Sequence, residues 1–80
     1  MTAQERGTQV RQVIAEIAKI DDAGSLADDA DVYRDLGIKS VNALDLLLSL
    51  EDTFEISIPD EAFGDARTVG SLDNLVASLS

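Results

Sequence analysis

Residues 35–54, DLGIKSVNALDLLLSLEDTF, contain the strongest helical pattern in this 80-residue chain. From Ser40 to Phe54 the apolar residues recur at helical spacing, so the pattern predicts one helix over this range. We expect its leucines to lie in the core, and a face this broad predicts a central helix that touches other helices on two sides. These leucines are Leu44, Leu46, Leu47, Leu48 and Leu50.

Apolar stripes of the same kind predict one helix before this stretch and another after it. The earlier stripe is formed by Val10, Val13, Ile14 and Ile17, and it predicts a helix from Glu5 to Ile20 whose reliable part covers residues 8–20, because Gly7 is expected to fray. The later stripe predicts a helix from Val69 to Leu79, with Thr68 as its N-cap. The sequence therefore predicts three main helices.

The remaining segments are predicted to form a loop, a connector and one short helix. Residues 21–39 are rich in Asp, Gly and Ser and have no sustained period, which predicts a long loop held by its own apolar side chains. The segment before Pro59 alternates like a strand, but the proline stops it and no second strand is present to pair with it. Asp60 is expected to cap a single turn through Phe63 that ends at Gly64.

Together these elements predict an all-α fold with a single domain over residues 1–80. We expect a small antiparallel bundle of three main helices plus one short helix, with a long loop between helices one and two. No apolar run reaches the roughly 18 residues of a membrane span, and no signal-peptide core follows the N-terminus, so we expect a cytoplasmic protein. One bundle uses all the apolar stripes, which favours a monomer.

The charge and composition of the chain argue against several functions. Sixteen acidic residues against six basic ones give a net charge of -10, which would repel nucleic acid. The chain lacks histidine and cysteine, and with them the usual general base and thiol nucleophile, so we do not expect an enzyme. The aspartates of the first loop do not match the spacing of an EF-hand, and no metal site is expected. The charge favours a partner with a basic surface.

Ser40 has two interpretations from the residues alone. Serine is a preferred N-cap, worth about 0.5–2 kcal/mol, and that role alone would account for its position. Gly37 permits a sharp turn, and Leu36 with Ile38 is expected to anchor the loop so that the hydroxyl faces water. The start of a helix also offers free N–H groups and a positive dipole to a phosphate. Both interpretations stay open at this point.

The run DLGIKSVNALDLLLSLEDTFEISIPDE, followed by RTVGSLDNLV, resembles the acyl carrier protein family. The resemblance implies that Ser40 carries a phosphopantetheine arm, which would supply a thiol. It also implies a non-catalytic protein that delivers acyl groups as thioesters in fatty acid, lipid or polyketide synthesis. The implied partners are a phosphopantetheinyl transferase and acyl-loading and acyl-transferring enzymes with basic docking surfaces.

Two residues beside Ser40 depart from the family pattern, in which Asp-Ser-Leu stands where this chain has Lys-Ser-Val. Val41 keeps an apolar contact for the arm. Lys39 reverses the usual charge, which puts the choice of transferase in doubt and favours a specialised carrier of an amino acid or an unusual acyl group. The alternative interpretation of Lys39 is a solvated loop residue that is offset by Asp35.

The predicted helix that follows Ser40 is acidic, and no basic residue lies between Val41 and Asp65. An arbitrary helix of this kind would simply have a solvated face. The resemblance instead implies that this helix docks on basic patches of partner enzymes. The predicted partner-binding residues are Asp35, Lys39, Val41, Asn42, Asp45, Glu51 and Asp52. The remaining alternative is an acidic protein-binding module in which Ser40 is only a helix cap.

Overall fold

The computed structural model describes residues 1–80 and is built from helices without strands. The elements are α1 (Ala3–Ala18), a 3₁₀ turn (Ala23–Ser25), α2 (Ser40–Phe54), α3 (Asp60–Asp65) and α4 (Val69–Leu79). Helix α1 packs against α2, α4 and the 3₁₀ turn, and α3 packs against α4. None of the helices is both long enough and apolar enough to cross a membrane. The predicted all-α bundle with a long first loop is confirmed.

Helix α1 begins at Ala3, two residues before the predicted start at Glu5, because a capping box holds its first turn. The Thr2 hydroxyl accepts the Glu5 N–H at 3.2 Å, and Glu5 Oε1 accepts the Thr2 N–H at 3.4 Å. Gly7, which was expected to fray, is buried in the helix, and an added Cβ would lie 3.2 Å from the Arg11 guanidinium. The helix ends at Ala18, earlier than predicted.

The central helix is α1, and the prediction that α2 would be central is wrong. Leu46, Leu47 and Leu50 are buried, but Leu44 and Leu48 are 59% and 53% exposed. The expectation that all five leucines of α2 lie in the core is therefore also wrong. The broad apolar pattern consists of two faces of one helix, of which only the inner face packs on α1.

The core is formed where the inner faces of the helices meet. Each fully buried aliphatic side chain contributes about 1.5–3 kcal/mol relative to an exposed one, which a domain of this size requires. The first loop adds to the core and does not merely cross its surface. The largest fully buried side chains are Val10, Ile14, Val32, Leu46, Leu50, Val69, Leu72 and Val76.

The second half of the chain follows the prediction more closely. Helix α4 begins after Thr68, whose hydroxyl accepts the Ser71 N–H at 3.1 Å, so this N-cap is confirmed. Helix α3 starts at Asp60 with Pro59 as its N-cap and passes through Gly64, so the predicted cap and end of this turn are wrong. The predicted connector before Pro59 has no strand partner, as expected.

The first loop is held against the start of α4 by backbone hydrogen bonds. The Val32 N–H donates to the Arg67 carbonyl at 2.8 Å, and the Gly70 N–H donates to the Asp28 carbonyl at 2.8 Å. A Cβ at Gly70 would lie 3.1 Å from that carbonyl oxygen, so this close approach favours glycine. Leu26 and Val32 are buried, as predicted for residues that hold the loop. The segment that leads to α2 is therefore fixed in place.

Both chain ends lie beside the C-terminal end of α2. Met1 and Ser80 line one shallow depression of about 230 Å³ together with Phe54 and Glu55. The start of α2 is at the opposite end of that helix. The termini and Ser40 are thus separated by the length of α2.

Candidate functional site

Ser40 is the first residue of α2 and is exposed to solvent. The N-cap is Lys39, with φ −94° and ψ 161°, and no side chain caps the helix. The cap position belongs to Lys39, one residue before Ser40, so the interpretation of Ser40 as a helix cap is wrong. The Ser40 hydroxyl is left without a structural hydrogen bond and is available for chemistry.

The backbone at the start of α2 presents free donors beside this hydroxyl. The Asn42 N–H donates to the Lys39 carbonyl at 2.8 Å, but the N–H groups of Ser40 and Val41 have no acceptor within the helix. The first turn of α2 contains no acidic residue. The positive end of the helix dipole is therefore not offset by a carboxylate there, which suits an anion.

The turn before Ser40 points this helix start away from the core. Gly37 adopts φ 77°, a left-handed conformation that favours glycine. Ile38 is buried, and its N–H donates to the Val32 carbonyl at 3.0 Å. The predicted arrangement, a turn at Gly37 with an apolar anchor beside it, is confirmed. The anchor fixes where α2 begins.

Asp31 organises the loop behind this turn, and the sequence prediction did not identify it. Its Oδ1 accepts the N–H groups of Tyr33 and Arg34 at 2.8 and 2.9 Å, and its Oδ2 accepts Arg67 Nε at 3.1 Å. The Arg67 guanidinium also lies 4.8 Å from the centre of the Tyr33 ring. The Arg34 N–H above all lowers the pKa of Asp31, with help from the Tyr33 N–H and Arg67, although partial desolvation opposes this. The signal available in the sequence was the residue type, because aspartate in a loop commonly accepts a hydrogen bond from the backbone N–H two residues ahead.

Asp35, a predicted partner-binding residue, is already engaged within the loop. Its Oδ2 accepts the Asp31 N–H at 2.8 Å, and its Oδ1 lies 3.3 Å from Arg34 Nε. The Asp31 N–H, followed by the Arg34 guanidinium, lowers the pKa of Asp35 below its usual range. The ion pair of Asp35 is with Arg34, and Lys39 is exposed without an ion pair to Asp35.

The other predicted partner-binding residues differ in how accessible they are. Lys39, Asp45 and Asp52 are exposed, whereas Asn42 is half-buried. Glu51 is also half-buried, and its Oε2 accepts the Ile58 N–H at 2.8 Å, which holds the connector after α2. Glu51 therefore has a structural role that the sequence prediction did not include. Partner binding by all of these residues stays a prediction.

Three apolar side chains on α2 face solvent in one row, which we call the outer stripe. Val41, Leu44 and Leu48 are 78%, 59% and 53% exposed and follow the spacing i, i+3 and i+7. Asp45 and Asp52 border this row, three residues before and four residues after Leu48. The outer stripe begins directly beside Ser40. An exposed apolar row bordered by charges is typical of a protein interaction surface.

Comparisons with known proteins identify the family. The family model described as "Phosphopantetheine attachment site" matches residues 8–76. The chain is 31% identical over 77 residues to the mitochondrial acyl carrier protein of Saccharomyces cerevisiae, which covers 88% of this chain but only 62% of the yeast protein. It therefore spans less than two thirds of that relative.

A solved structure agrees with these matches over the whole chain. The acyl carrier protein from Enterococcus faecalis superposes with a TM-score of 0.83 at 30% identity, and all of both chains is covered. The chain belongs to the phosphopantetheine-attachment family, and within it to the acyl carrier proteins. The resemblance seen in the sequence is confirmed.

The residues around Ser40 fit the prosthetic group of this family. Attachment requires an accessible hydroxyl, and Ser40 is exposed and caps nothing. The phosphate of the group would meet the free N–H groups at the start of α2 and no carboxylate in its first turn. The site is therefore suited to phosphopantetheine.

Proposed function

We propose that this chain carries acyl groups as thioesters on phosphopantetheine attached to Ser40. The observation that supports this most directly is the exposed, uncapped Ser40 at the start of α2, within the matched family region. When attached, phosphopantetheine supplies the thiol that this cysteine-free chain lacks. The protein would provide the attachment point, its orientation and the surface that partners recognise.

The chain contributes a nucleophile but no base to its own modification. Attachment would form a phosphoester bond between Ser40 Oγ and the phosphorus that bears pantetheine in coenzyme A, while the pyrophosphate P–O bond breaks and adenosine 3′,5′-bisphosphate leaves with the bonding electrons. The chain has no histidine, and the first turn of α2 has no carboxylate, so the base that removes the hydroxyl proton would come from the transferase. This division of roles supports a carrier that is a substrate of other enzymes.

The outer stripe and its bordering carboxylates are the surface that we assign to partner enzymes. Val41 would contact a partner next to the attachment point, and Leu44 and Leu48 would extend this apolar contact along α2. Asp45 and Asp52 would meet basic groups at the rim and speed the encounter. The partners would be a phosphopantetheinyl transferase and acyl-loading and acyl-transferring enzymes.

The alternatives from the sequence now have unequal support. A specialised cargo, such as an amino acid or an unusual acyl group, still rests on Lys39, which is exposed beside Ser40. The unmodified binding module assigned Ser40 the role of a cap, and Lys39 occupies that position instead. A cytoplasmic location stays an expectation, and the yeast relative is by its name mitochondrial.

The test is the intact mass of the chain after incubation with coenzyme A and a phosphopantetheinyl transferase of broad specificity. We expect a gain of one phosphopantetheine in the wild type and none in Ser40→Ala. Ser57→Ala removes another exposed serine and should load like the wild type. No gain in the wild type with several transferases, or an equal gain in Ser40→Ala, would overturn the proposal.

A further inference from the structure

Four of the six basic residues of this acidic chain form ion pairs. Of its six basic residues, four are arginines, and each arginine pairs with a carboxylate: Arg6 with Asp73, Arg11 with Asp28, Arg34 with Asp35 and Arg67 with Asp31. The two lysines belong to none of these pairs. Lys19 follows the C-terminal end of α1, and Lys39 directly precedes Ser40.

No carboxylate of the chain forms an ion pair with the Lys39 ammonium group. Asp35, the acidic residue nearest in sequence, is held by the Asp31 N–H and by Arg34. The first turn of α2 has no carboxylate, and its third residue is the neutral Asn42. Lys39 is therefore an unpaired cation at the one place where the family match implies that an anion is added.

We propose that Lys39 is the ion-pair partner of the phosphodiester that joins phosphopantetheine to Ser40. The inference rests on the proposed function and adds a role for a residue that departs from the family pattern. The phosphodiester would sit on the side chain next to Lys39, at a helix start with free N–H groups. Its oxygens accept charge-assisted hydrogen bonds from an ammonium group, and the long stem of lysine lets that group reach them.

This ion pair has a direct consequence for stability. The unmodified chain already has a net charge of -10, so a further negative charge adds to its self-repulsion. Lys39 would offset the added charge locally and restrain the base of the arm against α2. Loading should therefore stabilise a chain that has a cation at position 39 more than a chain that lacks one.

The test compares thermal midpoints before and after loading in matched lysine variants. Lys39→Gln and Lys19→Gln remove one positive charge each, so they change the net charge equally. We expect the midpoint change on loading to be about 2 to 5 °C more favourable in the wild type and Lys19→Gln than in Lys39→Gln. Lys39→Arg should behave like the wild type, and the difference should shrink as salt is added.

A second measurement needs no variant. The ¹³C resonance of the Lys39 ε-carbon should shift when the wild-type chain is loaded, and that of Lys19 should stay in place. Equal midpoint changes in all variants, or an unmoved Lys39 resonance, would overturn the ion pair even though the mass shows loading. Absence of any mass gain would instead overturn the proposed function, so the two failures are distinguishable.

Discussion

The inner and outer sides of α2 are built from the same residue type but behave in opposite ways. Leu46 and Leu50 on the inner side are fully buried, whereas Leu44 and Leu48 on the outer side are more than half exposed. The inner side packs on α1 and holds the bundle together. The outer side starts beside Ser40 and has no partner within the chain. One helix thus has a side that builds the bundle and an exposed side that we propose for recognition.

The carboxylates divide in the same way. Asp31 is buried and satisfied by two backbone N–H groups and Arg67, so it belongs to the structure. Asp45 and Asp52 border the outer stripe and are exposed to solvent. Asp31 forms an ion pair within the fold, whereas Asp45 and Asp52, which we assign to partners, form none. Pairing, rather than charge itself, separates the two groups.

Truncating one leucine on each side of α2 should give the largest contrast. Leu46→Ala removes buried methyl groups and leaves a cavity, so we expect a loss of about 2–5 kcal/mol in the free energy of unfolding. Leu44→Ala removes exposed atoms and should change it by less than about 0.5 kcal/mol. Urea denaturation followed by circular dichroism measures both. Equal losses would show that the outer stripe is part of the core.

Removing the buried carboxylate should change how stability depends on pH. The pKa of Asp31 is lowered in the folded chain, so its contribution to stability is present above its unfolded pKa of about 3.9 and is lost as the pH falls through the folded value. Asp31→Asn should therefore be less stable at neutral pH and should lose less on acidification below about pH 4.

The control for that prediction lies on the outer side of α2. Asp45→Asn changes the net charge by the same amount but removes no hydrogen bond of the fold. Its melting temperature should fall between pH 7 and pH 2 by as much as that of the wild type. If the melting temperature of Asp31→Asn fell with acidification as much as that of the wild type, the role assigned to this carboxylate would be contradicted.

Two adjacent acidic residues near the end of α2 should differ by a smaller amount. Glu51→Ala removes the acceptor of the Ile58 N–H, and we expect a loss of about 1 kcal/mol in the free energy of unfolding. Asp52→Ala removes an exposed carboxylate and should be nearly neutral. The measurement is again urea denaturation. If both variants were equally stable, the bond to Ile58 would contribute nothing.

The smallest effect should come from a charge on the outer side. Asp45→Asn should lower kcat/KM of loading by a basic transferase by about two- to fivefold at low salt, because exposed ion pairs are weak. The effect should fade as salt screens the charge. Gln12→Glu, a charge change on an exposed α1 residue, tests whether net charge alone matters. An effect of Asp45→Asn that persists at high salt would contradict a rim contact.

The sequence predicted those parts of the fold that depend on local pattern. The range of α2 and the start of α4 at Thr68 were right, because helical periodicity and a capping residue coincide there. The same periodicity could not separate Leu44 from Leu46, since two apolar faces on one helix look like one broad face. The early start of α1 was missed because its capping box stands before any apolar residue of the stripe.

The candidate site was predictable only in part. Ser40 and the turn at Gly37 follow from residue type and position, and the structure agrees with both an exposed hydroxyl and a positive φ. The hydrogen bond between Asp31 and Arg67 joins residues that are 36 positions apart in the sequence. The one between Glu51 and Ile58 joins α2 to the connector that follows it. Such pairings depend on the packed fold, so no local pattern could show them.

The position of the two chain ends makes this molecule easy to tether. Met1 and Ser80 lie together beside the last turn of α2, and that helix places Ser40 about 21 Å away at 1.5 Å per residue. A linker or a solid support joined to either end would therefore approach the molecule from the side opposite to the serine. A chain anchored in this way would still present Ser40 and the outer stripe to an enzyme in free solution.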